Sequence, residues 1–193
     1  MALKRKASSP PASASNVSKR LRYVERQVRL NRPEMKHKTF SFNTSIAAGA
    51  YGLADLSSIT QGTSINERIA DRVRVWRIEV RGVADSILDN YIIQCHTTAL
   101  PQNTDFSAQP GAYILDSLSN TKFTEWKHYR NSALDSTDDP QKYSVRFKNG
   151  IIVKYDGALA TQCVDNRLVC IHNNRGGVAG TVKLSYRIWY TDS

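Results

Sequence analysis

The stretch TVKLSYRIWY (181–190) decides the fold, because its apolar residues alternate with polar ones without a break. Successive side chains of a β-strand point to opposite faces, so every second residue shares a face. The alternating residues are Val182, Leu184, Tyr186, Ile188 and Tyr190. Trp189 falls on the opposite face. The pattern predicts a strand with one face in a core.

The stretch RVRVWRIEVRGV (72–83) predicts a second strong strand. One face carries Trp76, Ile78 and Val80, and the other carries Arg77, Glu79 and Arg81. Val73 and Val75 have the opposite parity to Ile78. Because a β-bulge shifts parity by one residue, we expect a bulge or bend near residues 75–76.

Shorter alternations predict further strands from residue 39 onward, at 38–46, 90–98, 143–149, 150–155 and 167–173. Residues 101–142 are long, polar and poorly periodic, with a short helix expected at 112–118. Seven to eight short strands with long connections predict an all-β sandwich in residues 39–193. Jelly-roll, immunoglobulin-like and other sandwiches all fit this pattern.

Positive charge is concentrated at one end of the chain. Residues 1–38 hold eleven basic and two acidic side chains, a net charge of +9, whereas residues 39–193 hold sixteen and fifteen, a net charge of +1. A cationic arm on a near-neutral body is typical of nucleic-acid binding. The alternative is a solubilising disordered tail. The candidate binding residues are Lys4, Arg5, Lys6, Lys19, Arg20, Arg22, Arg26, Arg29 and Arg32.

Two motifs subdivide this arm. A Ser/Ala/Pro linker (7–18) joins KRK (4–6) to KRLR (19–22), a spacing typical of a bipartite nuclear-import signal. Clusters that only bind phosphates produce the same pattern. Residues 18–31 place apolar side chains on one seam and basic ones opposite, which predicts a helix that forms when phosphates neutralise the basic side.

Catalytic and metal-binding patterns are weak. No G-x-S-x-G spacing occurs, so we expect no enzyme. Cys163, Cys170, His96 and His172 could surround a zinc ion, but core packing of Cys170 and His172 is the favoured interpretation. Three cysteines without a zinc pattern predict reduced structural thiols. The glycine-rich NNRGGVAG (173–180) joins two strands and predicts a hairpin loop rather than a phosphate loop.

Membrane and secretion signals are not expected. No run approaches ~18 apolar residues, the length that a membrane-spanning helix needs. The first twenty residues contain KRK without a following apolar stretch, so no secretory signal is expected.

The stretch LSSITQGTSINERIADRVRVWRIEVRG (56–82) resembles the capsid proteins of satellite tobacco necrosis virus and its relatives, which also occur in small circular single-stranded DNA viruses. Those proteins carry a QG-x-x-x-N-x-R-x-G-D-x-V-x-I block before a shell strand. The matching residues are Gln61, Gly62, Asn66, Arg68, Asp71, Val73 and Val75. Ala70 stands where the family has Gly. The ending SYRIWYTDS (185–193) resembles the family's closing strand.

The resemblance implies an eight-stranded jelly-roll shell domain (39–193) with a basic, partly helical N-terminal arm (1–38). It implies a T=1 icosahedral shell of sixty copies with the arm on a single-stranded genome, and the import-like signal favours DNA over RNA. The implied locations are the virion and, through a host nuclear-import receptor, the host nucleus. The alternative is a cellular nuclear β-sandwich interaction protein with a DNA-binding basic tail.

The resemblance also implies calcium between subunits. Asp192 matches the family's terminal ligand, with carbonyl oxygens near Ile69 and Arg72 as partners. Calcium takes six to eight oxygen ligands, so waters would complete the shell. The alternative is a solvated terminal aspartate without metal.

Overall fold

A computed structural model of the chain describes residues 17, 19–23, 34–64, 66–102, 122–131 and 141–193. The chain divides into two compact units, Met1–Glu34 and Met35–Ser193. In the first unit, residues 19–23 are helical and exposed. The described part of the second unit is mostly β-strand.

The strands are β1 (Lys36–Ile46), β2 (Tyr51–Asp55), β3 (Arg72–Ala84), β4 (Leu88–Cys95), β5 (Phe123–Asn131), β6 (Gln141–Tyr155), β7 (Cys163–Asp165), β8 (Arg167–Asn174) and β9 (Gly180–Asp192). They form two antiparallel sheets. The first sheet has the order β1-β9-β3-β6-β7, and the second has the order β2-β8-β4-β5. This is the all-β jelly-roll sandwich that was predicted, with the three-residue β7 added at one edge.

The main core lies between the two sheets. Strands β3 and β9 contribute Ile78, Val80, Tyr186 and Ile188 from the first sheet, and Ile92 faces them from the second. A second apolar cluster contains Tyr91, Ile93, Cys95, Phe123, Val169 and Ile171. Because Ile92 and Ile93 are neighbours in one strand and belong to different clusters, the second sheet is buried on both faces. The first sheet has one apolar face only.

The two strongest strand predictions are confirmed. Strand β9 covers 181–190, and β3 covers 72–83. The expected bulge lies between Val75 and Arg77, where the register of β3 shifts against both of its neighbours. The prediction that Trp76 shares the core face is wrong. Trp76 is the extra residue of the bulge, and its indole Nε1–H donates to Thr191 Oγ1 at 3.1 Å.

The strands predicted separately at 143–149 and 150–155 are one strand, β6. Its pairing with β3 runs from Arg146 to Ile151 across the bulge, opposite Arg77 and Val75. Gly150 takes a positive φ of 67° there, and a Cβ at this position would lie 2.5 Å from Arg74 Cγ. Glycine therefore lets the strand continue through an irregularity that the sequence pattern presents as a break.

The prediction of a long strandless stretch at 101–142 is also wrong, because β5 (Phe123–Asn131) lies inside it. The helix expected at 112–118 lies outside the described residues. Within the described residues, no helix is long and apolar enough to span a membrane. Cys95, Cys163 and Cys170 are free and buried, as expected for reduced structural thiols.

Candidate functional site

The motif that resembles the capsid family forms a closed loop between β2 and β3. Residues 60–62 lie beside residues 68–69: Gly62 N–H donates to Arg68 O at 2.9 Å, and Arg68 N–H donates to Thr60 O at 3.1 Å. Gln61 Nε2 adds a bond to Ile69 O at 3.0 Å. The loop is thus held by its own backbone and by one motif side chain.

Arg68 anchors this loop from inside. Its side chain is fully buried, and its guanidinium donates to the carbonyl oxygens of Ile59 at 3.0 Å and Ala70 at 2.9 Å. A third bond goes to the carbonyl oxygen of Gly157, in the loop between β6 and β7. The Tyr155 ring lies 4.0 Å from the guanidinium carbon. A buried charge is costly unless it is compensated, and these contacts compensate it.

The two loops that Arg68 joins expose apolar side chains. Ile69 is 63% exposed, and Leu159 in the neighbouring loop is 60% exposed. Gln61 N–H donates to Ala158 O at 3.0 Å and holds the loops together. Apolar side chains on fixed loops are suited to contact with another protein surface.

We predict that Arg68→Met lowers the free energy of unfolding by about 3 kcal/mol, because it leaves three carbonyl oxygens without their donor, that of Ile59 being buried. The control is Arg72→Met, at an exposed arginine four residues away, for which we expect a change within about 0.5 kcal/mol. Denaturant unfolding of both variants measures the difference. Similar losses in both would contradict the anchoring role.

Asp192 lies beside the same loop and carries an ion pair. Its Oδ2 is 2.8 Å from Lys36 Nζ, and its Oδ1 accepts the Ile69 N–H at 2.9 Å. Lys36 Nζ also donates to Glu67 O at 2.9 Å. Burial by itself would raise the pKa of Asp192, but the hydrogen bonds from Lys36 and Ile69 outweigh it and lower the pKa below its usual value.

These surroundings do not fit a calcium site within one chain. The Lys36 ammonium supplies the cation that the carboxylate requires. The carbonyl oxygens expected as further ligands are engaged: Ile69 O accepts from Gln61, and Arg72 O accepts from Ser193 N–H at 3.2 Å. Among the described residues, no group of three or more His, Cys, Asp or Glu side chains could hold a metal ion. Calcium between subunits stays a prediction of the resemblance.

We predict that Asp192→Asn lowers the free energy of unfolding by about 1–2 kcal/mol, between the values for exposed and buried ion pairs. Because the folded pKa of Asp192 is depressed, this contribution is present above the unfolded pKa of about 4 and is lost as pH falls through the folded pKa. Thermal melts at neutral and acidic pH measure it, with Asp156→Asn, at an exposed aspartate, as control.

A chelator should leave the wild-type melting temperature unchanged, because Lys36 already neutralises Asp192. A melting temperature that falls with chelator, and does not fall in Asp192→Asn, would contradict this expectation and favour the metal.

The four residues considered for zinc are not brought together. Cys170 and His172 are fully buried, which confirms their role in the core. The ring of His172 bonds Asn90 Oδ1 at 2.5 Å through Nδ1, and Tyr186 OH through Nε2. Because the Asn90 oxygen only accepts, Nδ1 carries the proton and Nε2 accepts from Tyr186. Burial lowers the pKa of His172 to about 3, so the ring is neutral.

The arm residues are described only in part. Lys19, Arg20 and Arg22 are exposed and lie in the helical stretch 19–23, within the helix predicted at 18–31. Tyr23 at the end of this stretch is 65% exposed. The remaining candidates lie outside the described residues: Lys4, Arg5, Lys6, Arg26, Arg29 and Arg32.

Sequence reasoning counted Lys36 with the arm and missed its place in the sheet. Strand β1 begins at Lys36, which pairs with Tyr190 of β9. The sequence signal is the alternation of β1, in which every second residue before Phe40 falls on the same face as Phe40. The structure shows which face this is, because Phe40 pairs with the buried Tyr186. Extending that alternation backward reaches Lys36.

No protein-family model and no curated protein sequence matches the chain. Solved structures similar to it include a chain of desmodium yellow mottle tymovirus, at 8% identity and a TM-score of 0.38, covering 98% of this chain and 95% of that one. A second is the 60-mer BFDV capsid protein, at 10% identity and a TM-score of 0.39, covering 83% and 93%. A third is the decameric BFDV capsid protein, at 12% identity and a TM-score of 0.28, covering 82% and 98%. Similarity at these values does not decide function.

Proposed function

We propose that this chain is a viral coat protein whose jelly-roll body builds a closed shell around a single-stranded genome. The observation that carries the proposal is a segment of net charge +9, residues 1–38, whose last three residues begin the first strand of a jelly-roll sandwich. Jelly rolls are frequent in viral capsid domains, although a fold alone does not fix a function. The arm supplies the evidence for function that the fold lacks, since its charge indicates a polyanionic partner.

The body is suited to self-assembly rather than catalysis. Its motif loop is fixed by the buried Arg68 and exposes Ile69, and the adjoining loop exposes Leu159. These loops are our candidates for contacts between subunits, in a T=1 icosahedral shell of sixty copies as the resemblance implies. We assign no enzymatic activity to the chain.

The arm binds the genome through phosphates and without sequence preference. Sixty arms of net charge +9 carry about 540 positive charges, which neutralise roughly five hundred nucleotides. Tyr23 is exposed beside the basic cluster at 19–22 and is available to stack on a base. The virion is the proposed location of the assembled protein.

The arm also directs the chain to the host nucleus, through an import receptor that recognises KRK (4–6) and KRLR (19–22). Exposure of Lys19, Arg20 and Arg22 supports this proposal, because a receptor needs access to these side chains. Replication in the nucleus would favour a DNA genome over RNA.

We predict that deleting residues 2–34 leaves particles with much less nucleic acid than the wild type. The deletion stops before Lys36, so the Lys36–Asp192 ion pair is retained. Electron microscopy establishes whether particles form, and the ratio of absorbance at 260 and 280 nm measures their nucleic acid. A full-length variant with the nine basic arm residues changed to Gln controls for arm length and should behave like the deletion.

Unchanged nucleic-acid content in both variants would refute the role of the arm. A wild-type chain that stays a monomer or small oligomer would refute the coat-protein proposal and favour a cellular interaction protein.

We predict that residues 1–34 carry a fluorescent reporter into the nucleus. Changing Lys4, Arg5 and Lys6 to Ala should weaken import, and changing residues 19–22 as well should abolish it. The ratio of nuclear to cytoplasmic fluorescence is the measurement, and the reporter alone is the control. A reporter that stays cytoplasmic with the intact segment would remove the argument for nuclear import.

A further inference from the structure

The outer face of the five-stranded sheet, the face away from the core, carries a concentration of positive charge that the sequence does not reveal. Register places it there: Ile78 and Val80 pair with the buried Ile188 and Tyr186, so the residues between them point outward. Nine basic side chains define this basic face: Arg72, Arg74, Arg77, Arg81, Lys142, Arg146, Lys154, Lys183 and Arg187.

The charge balance of the body is strongly polarised. Two acidic side chains, Glu79 and Asp165, lie on the same face as the nine basic residues, which leaves a net charge of +7. The rest of residues 39–193 holds seven basic and thirteen acidic side chains, a net charge of −6. The net charge of +1 for residues 39–193 therefore hides a strongly positive face. A surface of one sign creates a local potential that attracts a polyanion.

Glu79 holds part of the face in place. Its carboxylate is almost fully buried and lies 3.1 Å from Arg77, 2.6 Å from Arg81 and 3.3 Å from Lys142. Burial by itself would raise its pKa, but hydrogen bonds from Arg81 and Lys142 outweigh it and lower the pKa. One carboxylate fixes three cations and cannot neutralise them, so the cluster keeps positive charge in a prearranged geometry.

Two tryptophans lie among the arginines. The guanidinium carbons of Arg77 and Arg187 are 4.7 Å and 5.8 Å from the Trp189 ring centroid, and that of Arg74 is 5.7 Å from the Trp76 ring. Trp189 lies on the face away from the core, as its place in the alternation predicts, and it is covered by arginines. Aromatic rings with arginines are typical of surfaces that bind single-stranded nucleic acid.

We propose that the basic face is a second binding surface for the phosphate backbone of single-stranded nucleic acid, in addition to the arm. The proposal rests on the proposed function and extends genome binding from the arm to the body. The chain's own arm is not a suitable occupant of this face, because the arm's net charge of +9 is repelled by the face's net charge of +7. A second copy of the same face is repelled in the same way. Single-stranded nucleic acid carries the opposite charge along its whole backbone and can follow an extended face of the protein.

The test uses the full-length chain, with Arg146 and Lys183 changed together to Gln. Both side chains are exposed, and neither is among the three ion-pair partners of Glu79 described above. The matched control changes Lys122 and Lys127 to Gln, two exposed basic residues at and beside β5 of the other sheet. Both variants lose two charges and keep the arm, so only the position of the charges differs.

Fluorescence anisotropy of a labelled 30-nucleotide oligothymidylate, repeated over a range of salt concentrations, gives the slope of log K against log[salt]. Each phosphate contact contributes about 0.7 to this slope for a single strand. With two contacts removed, we expect the slope of the basic-face variant to fall by about 1.4 and that of the control variant to change by less than half as much. An oligouridylate of the same length shows whether DNA and RNA are bound alike. An equal fall in slope for both oligonucleotides supports contacts to phosphate. A fall for only one of them also supports binding at this face and shows that the face distinguishes the sugar or the base.

Equal slopes in the two variants would overturn the proposal. If the basic-face variant keeps its slope but forms fewer particles at low salt than the control variant, the face contacts another subunit instead. Failure of the proposed function is separately visible, because the wild-type chain would then form no particles. Thermal melts of both variants confirm that the substitutions leave the fold intact.

Discussion

The position of the last strand, β9, which is hydrogen-bonded between β1 and β3, determines the rest of this structure. Strand β9 pairs with β1 over the full length of β1, and it pairs with β3 on its other side. Both ends of the body therefore lie in one sheet. This pairing brings Lys36 to Asp192 and places Asp192 against the Ile69 N–H. The first residue of β1, the closing strand and the motif loop are therefore linked through one carboxylate. Changes at Asp192 would affect all three.

The same pairing separates apolar from charged residues. Because alternation is continuous along β9 and resumes after the bulge in β3, the core side of the first sheet stays apolar and its other side collects the charges. The second sheet differs, since Ile92 and Ile93 enter separate apolar clusters on its two faces. The second sheet packs against apolar residues on both faces, and the first sheet has one apolar and one charged face. The charged face of the first sheet is the surface on which we propose that a polyanion binds.

The sequence predicted those parts of the fold in which alternation is unbroken, such as 181–190. It missed β5 because the bulge at Trp126 places Phe123 and Tyr129 in different apolar clusters, although they are six residues apart. It divided β6 because Gly150 interrupts the pattern that the strand bridges with a positive φ. At the candidate site, the motif identified Arg68, but no local pattern shows its bond to Gly157. The Lys36–Asp192 pair joins the two ends of the body, which a sequence window does not connect.

Net charge is a poor guide to what the body binds, because binding depends on where charges lie. Residues 39–193 are nearly neutral, yet the register of three strands gathers nine basic residues on one face. In the proposed shell, sixty such faces and sixty arms repel one another unless a polyanion neutralises them, although salt screens part of this repulsion. Nucleic acid would then lower the free energy of the assembled state more than that of free subunits. Packaging and shell formation would be thermodynamically linked, because each favours the other by the same coupling free energy.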